Sequence, residues 1–201
     1  MDAPALVIAT GNAGKIREFS ALLADLGFSL KTLADFPGCP EVAEDADTFE
    51  ANAAKKARAV AAYTGLAALA DDSGLEVNAL GGRPGVHSAR YAGEGATDAQ
   101  RMSYLLTQLK DIAWEKRTAR FRCVIAIAGP DGPVEICSGE CPGIITSAPA
   151  GKHGFGYDPV FYLPEMGKTM AELTPAQKNL VSHRAQAAGK ARRVLERRCA
   201  P

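Results

Sequence analysis

The sequence predicts an α/β fold in which helices surround a mixed sheet. Three observations carry this. The chain opens with an apolar strand at residues 5–9 and a tight turn at Thr10-Gly11-Asn12-Ala13-Gly14-Lys15. A helix follows with Ile16, Phe19, Leu22, Leu23 and Leu26 on one face, then a second strand at residues 28–33. Such a strand–helix–strand unit makes a parallel pair. Residues 118–128 and 134–138 read as strands joined by the turn Gly129-Pro130-Asp131-Gly132. Finally, Thr97-Asp98-Ala99-Gln100 and Thr174-Pro175-Ala176-Gln177 have the capping-box pattern, the second with proline at the first helical position, so each opens a helix.

The other elements fall between these. Gly27 stops the first helix. Residues 37–47 form an acidic loop with Glu41, Glu44, Asp45 and Asp47. The Ala-rich helix at residues 48–63 is capped by Asp47 or Thr48 and ended by Gly65. Residues 66–70 read as a short buried strand that ends in Asp71-Asp72, and residues 75–80 continue it after a turn. Residues 81–91 are rich in Gly and Pro and read as a long irregular loop, a kind of segment that often carries function. The helix from Thr97 runs to about Leu109. Residues 144–147 are a further strand and residues 159–163 a short apolar segment. The last helix continues to Arg198, with a break expected near Ser182 or Gly189.

At 201 residues the chain forms one domain, or two lobes sharing a core. Aromatics are only 6% against 47% hydrophobic residues, so packing relies on Ala, Val, Leu and Ile. Lys+Arg and Asp+Glu both total 23. That balance argues against a protein that grips long nucleic acid by bulk charge. No apolar run is long enough to span a bilayer. Met1-Asp2-Ala3-Pro4 lacks the basic start and apolar stretch of a secretory signal, so a cytoplasmic location is expected. The cysteines Cys39, Cys123, Cys137, Cys141 and Cys199 are odd in number and scattered, which fits reduced thiols.

Five constellations carry candidate chemistry. Asp71 and Asp72 sit at the edge of a core, where unpartnered carboxylates are costly. In a strand their side chains point to opposite faces, so one can enter a site while the other is held by hydrogen bonds. A cation, most simply Mg2+, would neutralise the pair; a strand ending in an acidic turn capped by Ser73-Gly74 also fits. Thr10 to Lys15 places a Gly/Asn turn at a helix N-terminus, where backbone N–H groups bind anions. It is not a Walker A loop, since Asn12-Ala13 alone separates the glycines and Ile16 follows Lys15. Asn12 as a plain cap fits as well. Asn52 and Lys56 share a helix face behind Glu44, which can reach a metal; a solvated face is the alternative. In Gly154-Phe155-Gly156-Tyr157-Asp158-Pro159, Phe155 or Tyr157 can stack on a base, or the rings can plug the core. Asp158 can accept from a ligand or hold the loop. Lys178 with Ser182-His183-Arg184 offers donors to a purine edge or a phosphate, while the basic tail from Lys190 to Arg198 reads as a solvated face.

Together and in this order, the segments resemble the inosine triphosphate pyrophosphatase family. The matching stretches are Ala9 to Lys15, Asp47 to Ala53, Ala70 to Leu75, Leu80 to Gly85, Ser88 to Tyr91, Gly154 to Pro159 and Ser182 to Arg184. The resemblance implies an elongated mixed α/β fold of two lobes around a central nucleotide-binding cleft, a Mg2+ requirement and a homodimer. It makes Asp72 the proton acceptor and a metal residue, and Glu44 a second metal residue. Thr10, Gly11, Asn12, Ala13, Gly14, Lys15 and Ser73 bind the triphosphate. Phe155, Gly156, Tyr157, Asp158, Lys178, His183 and Arg184 contact the nucleotide, mainly its base. Ala51 stands where many relatives carry a second acidic residue, and no role is carried onto it.

The implied reaction is attack of water on the α-phosphate of dITP, ITP or XTP, giving monophosphate and pyrophosphate. Lys15 and Lys56 would neutralise the leaving group. Two other readings remain at this point. One is a nucleotide- or RNA-binding module built on Phe155, Tyr157 and the basic tail. The other is a related pyrophosphatase that prefers modified pyrimidines.

Overall fold

The computed structural model describes residues 3–199; the Met1-Asp2 start and the Cys199 thiol lie outside the described residues. The strands are β1 (Ala5–Ile8), β2 (Ser29–Thr32), β3 (Ala67–Val77), β4 (Thr118–Ala128), β5 (Glu135–Ile145), β6 (Phe161–Leu163) and β7 (Lys168–Thr169). The α-helices are α1 (Ala13–Leu23), α2 (Phe49–Thr64), α3 (Asp98–Gln108), α4 (Pro175–Val181) and α5 (His183–Cys199). The strands form a seven-stranded sheet in the order β2-β1-β3-β4-β5-β6-β7. β1 pairs parallel with β2 and with β3, while β5–β6 and β6–β7 are antiparallel. The sheet is mixed, and the opening unit is the expected parallel pair.

The chain divides into two compact units. The first holds the residues up to Asp72, Cys123–Gly139 and those from Arg184 onward; the second holds Ser73–Arg122 and Glu140–His183. Each has its own core. In the first, Leu6, Ile8, Leu69, Ile125 and Ile127 of the sheet pack with Phe19 and Leu23 of α1 and with Ala187, Ala191 and Leu195 of α5. In the second, Leu75, Val77, Phe121, Ile145 and Phe161 pack with Leu105 and Leu109 at the end of α3. Among the described residues no helix is long and apolar enough to cross a membrane.

Local chemistry explains most helix ends. Thr48 caps α2, its side chain accepting from Ala51 N, and Gly65 closes it in the left-handed region at φ +67°. The capping boxes at Thr97/Gln100 and Thr174/Gln177 form with both reciprocal bonds. The last helical stretch breaks at Ser182, whose backbone is extended, and Gly189 lies inside an unbroken α5.

Several boundaries differ from the sequence expectation. The turn expected after Asp72 does not exist: β3 runs straight through Asp71-Asp72-Ser73-Gly74. Two carboxylates need not end a strand when each finds cationic or amide partners, and here both do. The strands expected at 134–138 and 144–147 are one strand, β5. Gly143 lies inside that strand, and a Cβ there would lie 2.6 Å from the Phe161 ring and from Tyr162 O. The glycine marks the close approach of β6, not a turn. Within residues 81–91, Gly85–Arg90 forms a 3₁₀ helix rather than an irregular loop. β7, only two residues long, had no visible sequence signal.

Candidate active site

β3 sends its two aspartates to two different networks. Asp71 is buried and its Oδ2 lies 2.9 Å from Lys15 Nζ and 3.8 Å from Arg184 Nη2. Arg184 is itself buried, with Nη1 2.5 Å from Glu18 Oε2 and its guanidinium 5.7 Å from the Phe19 ring centre. Burial pulls the Arg184 pKa down, but Asp71 and Glu18 outweigh it and hold the group charged. Lys15 therefore leaves the first turn of α1 against a fixed carboxylate. The turn before it is exposed at Gly11, Asn12 and Ala13. Asn12 caps α1 by accepting from Lys15 N at 3.1 Å, and Thr10 Oγ1 accepts from Asn12 N at 3.3 Å. The arrangement presents an exposed helix N-terminus with a lysine in its first turn held by a buried carboxylate, which suits an anion.

Asp72 faces α2. Asn52 Nδ2 donates to Asp72 Oδ2 at 2.9 Å and to Ala46 O at 3.3 Å, while Asn52 Oδ1 accepts from Ala46 N at 3.0 Å. One buried amide thus ties the catalytic candidate to the acidic loop that carries Glu44. One helical turn further on, Lys56 Nζ donates to Glu44 Oε1 and to Asp71 O, both at 2.5 Å. Burial draws the Lys56 pKa down, but Asp71, Glu44 and Asp72 more than reverse this and the ammonium stays charged. Burial raises the Asp72 carboxyl above its ordinary value, and Lys56 and Asn52 reverse only part of that rise. A carboxylate raised this way is a better proton acceptor near neutral pH than an exposed aspartate.

Among the described residues, no three His, Cys, Asp or Glu side chains converge as a ready-made metal cage. The fit to a cation therefore rests on Glu44 and Asp72, which both act on the Lys56 ammonium. Hard oxygen donors in that number suit Mg2+, which takes one or two carboxylates and completes its shell with water and phosphate.

The second unit holds the other group of candidates. Asp158 Oδ2 accepts from Lys178 Nζ at 2.5 Å and from Phe155 N at 2.9 Å, and Asp158 and Lys178 are both buried. Lys178 Nζ lies 4.8 Å from the Phe155 ring centre. The loop must close tightly here: a Cβ on Gly154, at φ +77°, would lie 2.0 Å from Asp158 Oδ2. Gly156 N donates to Asp98 Oδ2 at 2.7 Å. The Tyr157 ring is buried in the core and its hydroxyl donates to Ser88 O at 2.9 Å, so burial drives its pKa up. His183 stacks on Phe121 with ring centres 4.7 Å apart.

A family model described as the Ham1 family matches residues 6–194. The chain belongs to the Ham1 family. It is 57% identical over 182 residues to a dITP/XTP pyrophosphatase of Geobacillus kaustophilus, covering 90% of this chain and 89% of that one. A dITP/XTP pyrophosphatase of Geobacter sulfurreducens is 55% identical over 182 residues, covering 90% and 92%. The solved structure of a HAM1 protein from Coxiella burnetii superposes with a TM-score of 0.88 at 44% identity, covering 96% of this chain and 99% of that one.

In this Ham1 chain the structure sorts the sequence-derived candidates by unit. Thr10 to Lys15, Glu44, Lys56, Asp72 and Arg184 belong to the first unit; Ser73, Phe155 to Asp158, Lys178 and His183 belong to the second. Arg184 was expected on the nucleotide base. Its guanidinium instead pairs with Glu18 and Asp71 at 2% exposure, because a buried cation needs carboxylate partners. Of the two loop rings, Tyr157 packs into the core and Phe155 is the one left half-buried. Asp158 takes the loop-holding role of its two alternatives. Sequence reasoning marks Asn52, with Lys56, as a pair that can face a site and expects one of the two aspartates to be held by hydrogen bonds, but sees Asp98 only inside a capping box. The four-residue spacing of Asn52 and Lys56 points at that pair. Nothing local in the sequence links Asp98 to Gly156.

Proposed function

We propose that this chain hydrolyses aberrant purine nucleoside triphosphates, dITP, XTP and ITP, to the monophosphate and pyrophosphate in a Mg2+-dependent reaction. The buried Asp72 carboxylate carries the reading: Asn52 orients it, it lies in the field of Lys56, and burial raises its proton affinity. The pyrophosphatase names of the Geobacillus kaustophilus and Geobacter sulfurreducens relatives support the substrate class.

In this mechanism Thr10 to Lys15, Ser73, Asp72 and Lys56 act on the phosphates, and Phe155, Lys178 and His183 act on the base. Thr10 to Lys15 bind the triphosphate through the exposed N-terminus of α1, and Asp71 fixes the Lys15 ammonium toward it. Ser73 adds a phosphate contact. Asp72 accepts the proton of the attacking water. Lys56, held charged by its acidic neighbours, neutralises the leaving pyrophosphate. Glu44 and Asp72 would hold Mg2+, which when bound supplies charge neutralisation and a water of lowered pKa. Phe155 supplies the ring for the base, backed by Lys178, and His183 offers a donor to the 6-oxo group. An adenine leaves such a donor unpaired, which disfavours ATP. The proposal includes a homodimer in the cytoplasm.

The binding-module reading keeps Phe155 but loses the rest of its platform. Tyr157 is buried, and three arginines of the basic tail are paired within the chain: Arg192 with Asp25, Arg197 and Arg198 with Glu135.

The deciding experiment incubates purified protein with dITP, XTP, GTP and ATP, with Mg2+ or EDTA, and quantifies monophosphate and pyrophosphate. Mg2+-dependent pyrophosphate release from dITP and XTP in preference to ATP and GTP is expected. No turnover of any nucleotide would overturn the proposal.

A further inference from the structure

Phe155 sits between two clamped peptide groups. Its own N–H donates to Asp158 Oδ2 at 2.9 Å, and the next N–H, of Gly156, donates to Asp98 Oδ2 at 2.7 Å. The φ and ψ angles of Phe155 lie between these two amides. Fixing both amides fixes the direction in which the ring leaves the backbone. The two carboxylates differ in their surroundings. Asp158 is buried against Lys178, whereas the Asp98 side chain is 41% exposed. Asp98 in turn pairs with Arg101, and Arg101 Nη1 donates to Ala89 O at 2.8 Å and to Ala96 O at 2.5 Å. Those carbonyls belong to the segment that follows Ser88. Ser88 O receives the Tyr157 hydroxyl, and Ser88 Oγ accepts from Leu75 N at 2.9 Å. The first turn of α3, the 3₁₀ helix and the aromatic loop are therefore one hydrogen-bonded assembly, with Asp98 at its centre.

We infer that Asp98 is a positioning residue for base selectivity, setting the Phe155 ring through the Gly156 amide; this rests on the nucleotide reading above. An exposed ion pair contributes little to fold stability. A charge-assisted bond to a backbone amide of a binding loop is instead suited to orienting it. The role of Asp98 lies in ligand discrimination rather than in folding, and it touches no reacting atom.

The test compares wild type with Asp98→Ala and Asp98→Asn, the latter keeping an acceptor oxygen for Gly156 N. The readouts are hydrogen exchange of the Phe155–Tyr157 amides, Kd for dITP and dATP in EDTA, and kcat and KM with Mg2+. For Asp98→Ala, the expectation is faster exchange at Gly156, a KM for dITP raised about tenfold, equivalent to about 1.4 kcal/mol, and a reduced dITP:dATP preference. Its kcat and melting temperature stay near wild type. Asp98→Asn recovers most of the preference. Unchanged exchange and preference in Asp98→Ala overturn the inference. So does a loss of activity that tracks unfolding with the preference intact, or an Asn variant no better than Ala. If wild type binds but does not turn over nucleotides, the function reading fails alone and the Kd ratios still decide this one. If wild type binds no nucleotide, both fail.

Discussion

Replacing Asp158 by Asn tests how the candidate base loop is held. The Asp158 and Lys178 side chains are only 4% and 6% exposed, and their charged atoms are 2.5 Å apart. At an effective dielectric of about 20, that separation corresponds to about 7 kcal/mol of gross attraction. Most of it offsets the desolvation of two buried charges, so the intact pair adds little net stability. Removing one charge is a different matter, because the other remains buried with its desolvation uncompensated. Breaking a buried pair costs about 3–5 kcal/mol. Asn retains an acceptor oxygen for Phe155 N, so Asp158→Asn belongs at the low end, about 3 kcal/mol. For a chain of this size that is a fall of about 6–12 °C in melting temperature. Lys178→Met should cost a similar amount. The double variant should recover much of the loss, because both charges leave together. The chain has one tryptophan, Trp114, which lies in the second unit with its ring 5.6 Å from that of Tyr162. Its fluorescence during urea unfolding therefore reports the unit in which the pair sits. Additive single costs in the double variant, or an Asp158→Asn cost below about 1 kcal/mol, would refute the reasoning.

Four further outcomes follow from the same geometry. Asp72→Asn should lower kcat by at least about 100-fold while leaving nucleotide binding largely intact, read by stopped assay and by calorimetry. The same variant should be more heat-stable than wild type at neutral pH without metal. Burial raises the folded Asp72 pKa above its unfolded value, so its contribution to stability is full below the unfolded pKa and is lost as pH rises through the folded one; Asn carries no such loss. Melting curves from pH 4 to 8 check the sign. Asn52→Ala removes three hydrogen bonds at a fully buried site; it should cost about 2–4 kcal/mol by urea unfolding and lower kcat, since Asp72 and the Glu44 loop lose their common anchor. Gly154→Ala places a Cβ 2.0 Å from Asp158 Oδ2 at positive φ, and should raise KM for the nucleotide by opening the turn.

Much of the fold is legible in the chain because its signals are local. A capping box needs only four residues, and Thr97 and Thr174 each announce a helix that forms there. The parallel opening pair follows from one helix that carries the chain back to the end of the sheet where it began. Where the reading fails, a residue's reason lies far away in sequence. Gly143 is glycine because of Phe161, and Ser73-Gly74 fails to turn because β3 continues as a sheet strand through them. The candidate site divides in the same way. Asp72, Lys56 and Lys15 stand out as charges in apolar or glycine-rich settings. Asp98 carries no such mark, since its contact with Gly156 spans 58 positions.

The adjacency of Asp71 and Asp72 is the sharpest case. Two neighbouring carboxylates in a buried strand repel, and the sequence already gives each of them its own face. The period of two separates them onto opposite faces. Asp71 meets Lys15 and Arg184 on one side, and Asp72 meets Asn52 on the other. Lys56 links the two sides, because its ammonium donates to the Asp71 carbonyl while lying in the field of the Asp72 carboxylate. Two adjacent strand positions thus couple the lysine proposed to bind phosphate to the carboxylate proposed as proton acceptor. Shifting β3 by one residue would exchange the two faces and place each aspartate in the other's surroundings. That register is held by the parallel ladder to β1, where Leu6, Val7 and Ile8 pair with Ala67, Ala68 and Leu69. Leu6, Ile8 and Leu69 are also core residues. The apolar core that fixes the strand therefore fixes the chemistry two residues beyond it.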